Sequence, residues 1–160
     1  SLPKSIKQNE RSVAELLAAN MRKMIICERP NNPAYFDKMS ELLNHLIQEQ
    51  KDGKVQYKEL IEKLIEKLKE ARSTSRAKYP KTIDTKGKQS LYDNLGGDET
   101  LTLLVHNTIK SNARDGFRDM DGSGIRKMRA LRKAVEEVLI NMTPDKIDDI
   151  MQLIIAQKEY

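Results

Sequence analysis

The sequence predicts an all-α fold, a bundle of about six to seven helices in two halves joined by a basic linker. Three observations carry that expectation. Apolar residues recur at three- and four-residue steps along most of the chain, which lines them up on one face of a helix. No stretch alternates apolar and polar residues with β-branched side chains, as a half-buried strand would. The 160 residues include only seven glycines, five prolines and two phenylalanines, too few for a many-turned β fold. A chain of this length can bury roughly two-thirds of the surface its unfolded form exposes. Its 38% hydrophobic and 33% charged content is that of a globular chain.

The first helix is predicted from about Ile6 to Cys27, with Val13, Leu16, Leu17, Met21, Met24 and Ile25 on one face. Arg29-Pro30-Asn31-Asn32-Pro33 ends it, because proline disfavours helical geometry in the residue before it. Asn32 then caps a second helix with Pro33 at its first position, where a missing N–H costs nothing. Its stripe is Phe36, Met39, Leu42, Leu43, Leu46 and Ile47, and Gly53 supplies the left-handed stop. A third helix runs from Tyr57 to Ala71 on Tyr57, Leu60, Ile61, Leu64, Ile65 and Leu68. The short turn before it makes the second and third helices an antiparallel hairpin.

Further along, Thr85 starts a short helix through Leu91, Tyr92 and Leu95 that Gly96-Gly97 stops. Asp98 caps a helix carrying Leu101, Leu104, Val105, Thr108 and Ile109. Residues 114–124 are a glycine-containing loop, and Ile125, Met128, Leu131, Val135, Val138 and Leu139 mark the next helix. Thr143-Pro144, a cap and a first-turn proline, open the last one through Ile147, Ile150, Met151, Ile154 and Ile155. The organisation expected is thus a helical half over 1–71, a basic linker over 72–90 and a second helical half over 91–160.

Charge sharpens that division. Arg72, Arg76, Lys78, Lys81, Lys86 and Lys88 stand against Asp84 alone, so residues 72–90 hold the whole net charge of +5. A basic stretch with an aromatic, Tyr79, could track a phosphate backbone, but charge runs usually only solubilise, so it reads first as a solvated, mobile connection. A second basic cluster, Arg126, Arg129 and Lys133, shares one helix face; it reads first as a solvated face that Glu136 and Glu137 compensate, and otherwise as a face that phosphates or an acidic protein would meet. No apolar run is long enough to span a bilayer, and Ser1 to Lys7 lack a signal-peptide core. One cysteine, Cys27, excludes an internal disulfide and fits the cytoplasm; it is expected to be a small, buried or half-buried apolar residue.

Candidate chemistries are thin. Asp119, Asp121, Ser123 and Gly124 imitate the start of a calcium loop, but Ala130 stands where the chelating glutamate belongs and Lys127 repels a cation. Gly87-Lys88 lacks the Ser or Thr and the upstream glycine of a phosphate-binding loop. Asp52, Gln56 and Lys58 have the letter spacing of a metal-dependent nuclease site, yet fall at a helical turn instead of on adjoining strands. His45 and His106 have no second ligand at metal spacing and read as surface or partly packed. No catalytic, cofactor or metal residue is assigned.

Several blocks resemble one family. Ala19-Asn20-Met21-Arg22-Lys23-Met24-Ile25-Ile26 is followed by Asn32-Pro33-Ala34-Tyr35-Phe36-Asp37-Lys38-Met39-Ser40-Glu41-Leu42-Leu43. Then come Tyr57-Lys58-Glu59-Leu60, Tyr79-Pro80, Asp84-Thr85, Leu91-Tyr92-Asp93-Asn94-Leu95 and the closing Ala156-Gln157-Lys158-Glu159-Tyr160. In this order they resemble the C-terminal helical region of the R subunits of type I restriction enzymes. At Asp115-Gly116-Phe117-Arg118-Asp119-Met120 the chain departs from the family's usual run. The resemblance implies a helical domain of a larger ATP- and magnesium-dependent DNA translocase and endonuclease. Such a domain docks the motor onto methyltransferase and specificity subunits and meets DNA through the assembled complex. The alternative is an autonomous nucleic-acid-binding module built on residues 72–90 and the basic helix.

Overall fold

The computed structural model describes residues 4–73 and 78–160. Among them are seven α-helices: α1 (Lys4–Glu28), α2 (Pro33–Lys51), α3 (Tyr57–Arg72), α4 (Lys86–Asn94), α5 (Glu99–Asn112), α6 (Gly122–Val138) and α7 (Pro144–Ala156). No described residue lies in a strand, so the all-α expectation holds. No described helix is long and apolar enough to cross a membrane. The chain divides into two compact units, residues 1–29 with 34–76, and residues 30–33 with 77–160.

The first unit packs α1, α2 and α3 around one apolar cluster. Met39, Leu43 and Leu64 are essentially sealed from solvent, and Val55 in the turn before α3 plugs the end. Tyr35 near the start of α2 donates a 2.6 Å hydrogen bond to Glu70 near the end of α3, so these two helices run antiparallel. Gly53 turns the chain between them at φ 75°, a left-handed geometry that side chains disfavour. A paired contact from Arg29 to Asp37, at 2.7 and 3.1 Å, ties the end of α1 to α2.

The seam of α1 is rotated from the expected one. Ala14, Ala18, Met21 and Ile25 are buried, while Val13 and Leu16 face solvent, Leu16 at 61% exposure. The two alanines keep the buried side of α1 slim where it packs with α3, and Leu17 and Met24 border it as partly buried residues. Cys27, expected to be at least half-buried, is exposed.

In the second unit, α4 to α7 enclose a separate cluster in which Leu91, Val105, Ile109, Leu131, Val135 and Ile154 are fully buried. Caps read from sequence form as expected: Thr85 accepts from Lys88 N, Asp98 from Leu101 N and Thr143 from Lys146 N. Two corrections apply. The buried face of α5 is Thr102, Val105, His106 and Ile109, leaving Leu104 51% exposed. The loop after α5 ends at Asp121, which caps α6 by accepting from Gly124 N, so the last three residues of the expected loop are helical.

Residues 72–90 are not one connector either. Arg72 closes α3, Ile83 is 1% exposed, and Gly87, Gln89 and Ser90 are buried on α4. Apolar and small residues among the lysines give this stretch a packing role that its charge conceals.

These placements predict contrasting stabilities. Leu64→Ala should cost about 2–5 kcal/mol in denaturant unfolding, whereas Leu16→Ala should change stability by only about 0.5 kcal/mol. A Cβ at Gly124 would overlap the backbone carbonyl of Asp119, while one at Gly122 meets only the mobile Arg126 guanidinium at 3.4 Å. Gly124→Ala should therefore cost about 1–3 kcal/mol, and Gly122→Ala should be neutral or slightly stabilising; equal effects would contradict the α6 start described here.

Candidate functional site

Two features of the second unit bring together residues singled out from sequence. The first is a polar clasp. Asn32 is 4% exposed; its side-chain amide donates 2.8 Å to Asp93, and its carbonyl oxygen accepts 2.8 Å from Asn94. Tyr79 donates to the same Asp93 carboxylate and stacks edge-on against Tyr92, with ring centroids 5.6 Å apart. Gln157 donates 2.6 Å to the carbonyl of Asn31. The Asn32 side chain, expected at the start of α2, thus reaches α4, some sixty residues away in sequence.

The chain after α7 completes the same side of the unit. Glu159 accepts 2.6 Å from Gly87 N, and its own carbonyl accepts 2.9 Å from Lys110. Gly87 is required there, because a Cβ would overlap the Glu159 carboxylate. Arg118 grips the end of α7, donating to the carbonyls of Ile155 at 2.9 Å and Gln157 at 2.8 Å. Cations suit a helix C-terminus, where carbonyls lack partners. Nearby lies a pocket of about 380 Å³. Lys110, Arg114 and Arg118 on its wall are balanced by Asp115, Asp119 and Glu159, so it selects neither sign of charge.

His106 is buried beneath this tail at 8% exposure, sharing a 2.5 Å hydrogen bond between Nδ1 and the Tyr160 hydroxyl. His45, by contrast, is exposed beside Glu49 at 3.0 Å. Burial holds the His106 imidazole below its ordinary range; Glu159 and Asp84 oppose that, Lys88 and Lys110 reinforce it. The Tyr160 phenol is pushed up by burial first and by Glu159 second.

The second feature is basic surface. Arg76 lies outside the described residues. Arg72, on the first unit, is exposed in the last turn of α3. On the second unit Lys78, Lys81 and Lys86 are exposed, Lys78 lying over the Tyr79 ring. Lys88 is half-buried and pairs with Asp84 at 3.1 Å, which lowers the Asp84 carboxyl by hydrogen bond and charge.

On α6 the cluster divides by partner. Arg132 pairs with Glu136 at 2.7 Å and Asp148 at 2.6 Å, and Lys127 donates 2.6 Å to the carbonyl of Asp115. Arg126, Arg129 and Lys133 are exposed on one face and make no ion pair among the described residues. Asp119, Asp121 and Ser123 surround the start of this helix, and no acidic, histidine or cysteine cluster able to hold a metal occurs among the described residues. Asp52 accepts from Gln48, while Gln56 and Lys58 begin α3, so those three serve a helical turn.

Because folding holds His106 below 6.5, its proton-free form is favoured in the folded state and the unfolded chain takes up a proton first. Stability from this site is fully present above the unfolded value and falls as pH drops below about 6.5. Denaturant midpoints measured from pH 7.5 to 5.5 should fall in the wild type, and His106→Gln should flatten that fall. An identical slope in the variant would place the acid sensitivity elsewhere.

No family model, no curated protein and no solved structure matches this chain.

Proposed function

We propose that this chain is a helical assembly domain of a type I restriction R subunit, working in the cytoplasm. It docks the ATP- and magnesium-dependent DNA translocase and endonuclease of its parent subunit onto the methyltransferase and specificity subunits. One observation carries this reading. Four of the blocks that resemble the family, those that begin at Asn32, Tyr79, Leu91 and Ala156, each contribute a residue to one hydrogen-bonded clasp of the second unit. The resemblance thus falls on residues that hold one folded element together.

The role itself is passive in chemical terms. Helices with apolar seams inside and charge outside present rigid faces, and rigid faces lower the entropy cost of docking. Bond cleavage and ATP hydrolysis belong, in this reading, to other domains of the parent subunit.

The test is co-purification of the full chain with the cognate methyltransferase and specificity subunits. A complex that survives 50 to 200 mM salt with little loss is the expected outcome. A chain that ignores those subunits yet binds duplex DNA, losing about 10³-fold or more across that salt range, would instead establish the nucleic-acid-binding alternative on Lys78, Lys81, Lys86 and the α6 cations.

A further inference from the structure

We propose that the exposed face at the start of α6, with Met120 just before it, is a protein-docking site for an acidic patch flanked by an apolar pocket. This rests on the assembly reading and assigns the face that carries it out. Arg126, Arg129 and Lys133 lie at three- and four-residue steps, so they form a stripe about 10 Å long. Their neighbours Lys127 and Arg132 are already engaged, but these three have no ion pair among the described residues.

The helix meets its own electrostatic needs elsewhere: Asp121 caps its start and Glu136 in its last turn pairs with Arg132, so neither engages these three cations.

Three details select protein over nucleic acid. Met120 is 92% exposed and Ile125, in the first turn of α6, is 47% exposed. Exposed Met and Ile beside Arg match the composition of protein interfaces, where apolar anchors fill pockets; a phosphate backbone gives them nothing. Finally, the stripe is short, and the exposed Glu137 continues the line of Arg126 and Lys133 one turn further on. A long polyanion would meet that carboxylate, whereas a compact acidic patch ends before it.

The experiment measures affinity of the full chain for the purified methyltransferase–specificity core, with and without a 30-bp duplex as competitor. Arg126→Glu with Arg129→Glu, and separately Met120→Ser with Ile125→Ser, should each weaken binding by about tenfold or more. Lys81→Glu, an exposed lysine elsewhere, should stay near wild type. The duplex should not compete. Hydrogen exchange of the wild-type chain in the complex should slow over residues 120–133, which covers the case of a variant that fails to fold. Core binding that is indifferent to both double variants, or protection confined elsewhere, overturns this face while leaving the assembly role intact. Competition by the duplex overturns it in favour of a nucleic-acid contact. No core binding at all overturns both.

Discussion

The structure depends on the burial of one narrow apolar seam per helix. With few aromatics and a third of its residues charged, the chain has little large apolar area to spend, so each seam must meet another. In the first unit Met21, Met39, Leu43 and Leu64 do this; in the second, Leu91, Ile109, Leu131 and Ile154 do. Surface ion pairs such as Arg11 to Glu15 add little, because exposed pairs are worth about 0–1 kcal/mol. Charge is consequently free to serve recognition.

Polar groups hold what the seams cannot. Residues 30–33 contribute no buried apolar side chain, yet they belong to the second unit through Asn31 and Asn32. A buried amide such as Asn32 is costly without partners and directional with them. Its two bonds to α4 fix a segment that apolar contact alone would leave undefined. Arg118, Lys110 and Gly87 do the same for the chain after α7, beneath which His106 is buried against Tyr160.

Much of the fold was legible from residues with local physics. Thr85, Asp98 and Thr143-Pro144 cap helices because a side-chain oxygen reaches an N–H three residues on, and Gly53, Gly96 and Gly97 stop them at positive φ. The rotation of α1 was not legible. Met21 and Ile25 of the expected stripe are buried and Leu17 and Met24 border the core, but Val13 and Leu16 outbid Ala14 and Ala18 on hydrophobicity and still face solvent, because small residues win where a neighbouring helix lies close. Burial of Ile83, Gln89 and Ser90 was masked by the lysines around them. The clasp was invisible because, apart from Tyr79 to Asp93, its bonds join residues 61 to 126 positions apart. Among candidate contacts, sequence found the α6 stripe; only the structure shows that Arg132 and Lys88 are ion-paired and Lys127 is bound to a backbone carbonyl, while Arg126, Arg129 and Lys133 have no ion pair among the described residues.

If the seams hold the fold and the α6 stripe is reserved for a partner, removing those charges should leave the chain equally stable. The direct measurement is denaturant unfolding of the triple variant Arg126→Ala, Arg129→Ala, Lys133→Ala. Stability within about 1 kcal/mol of wild type is the predicted result. A loss of about 2 kcal/mol or more would make those cations structural and contradict the account.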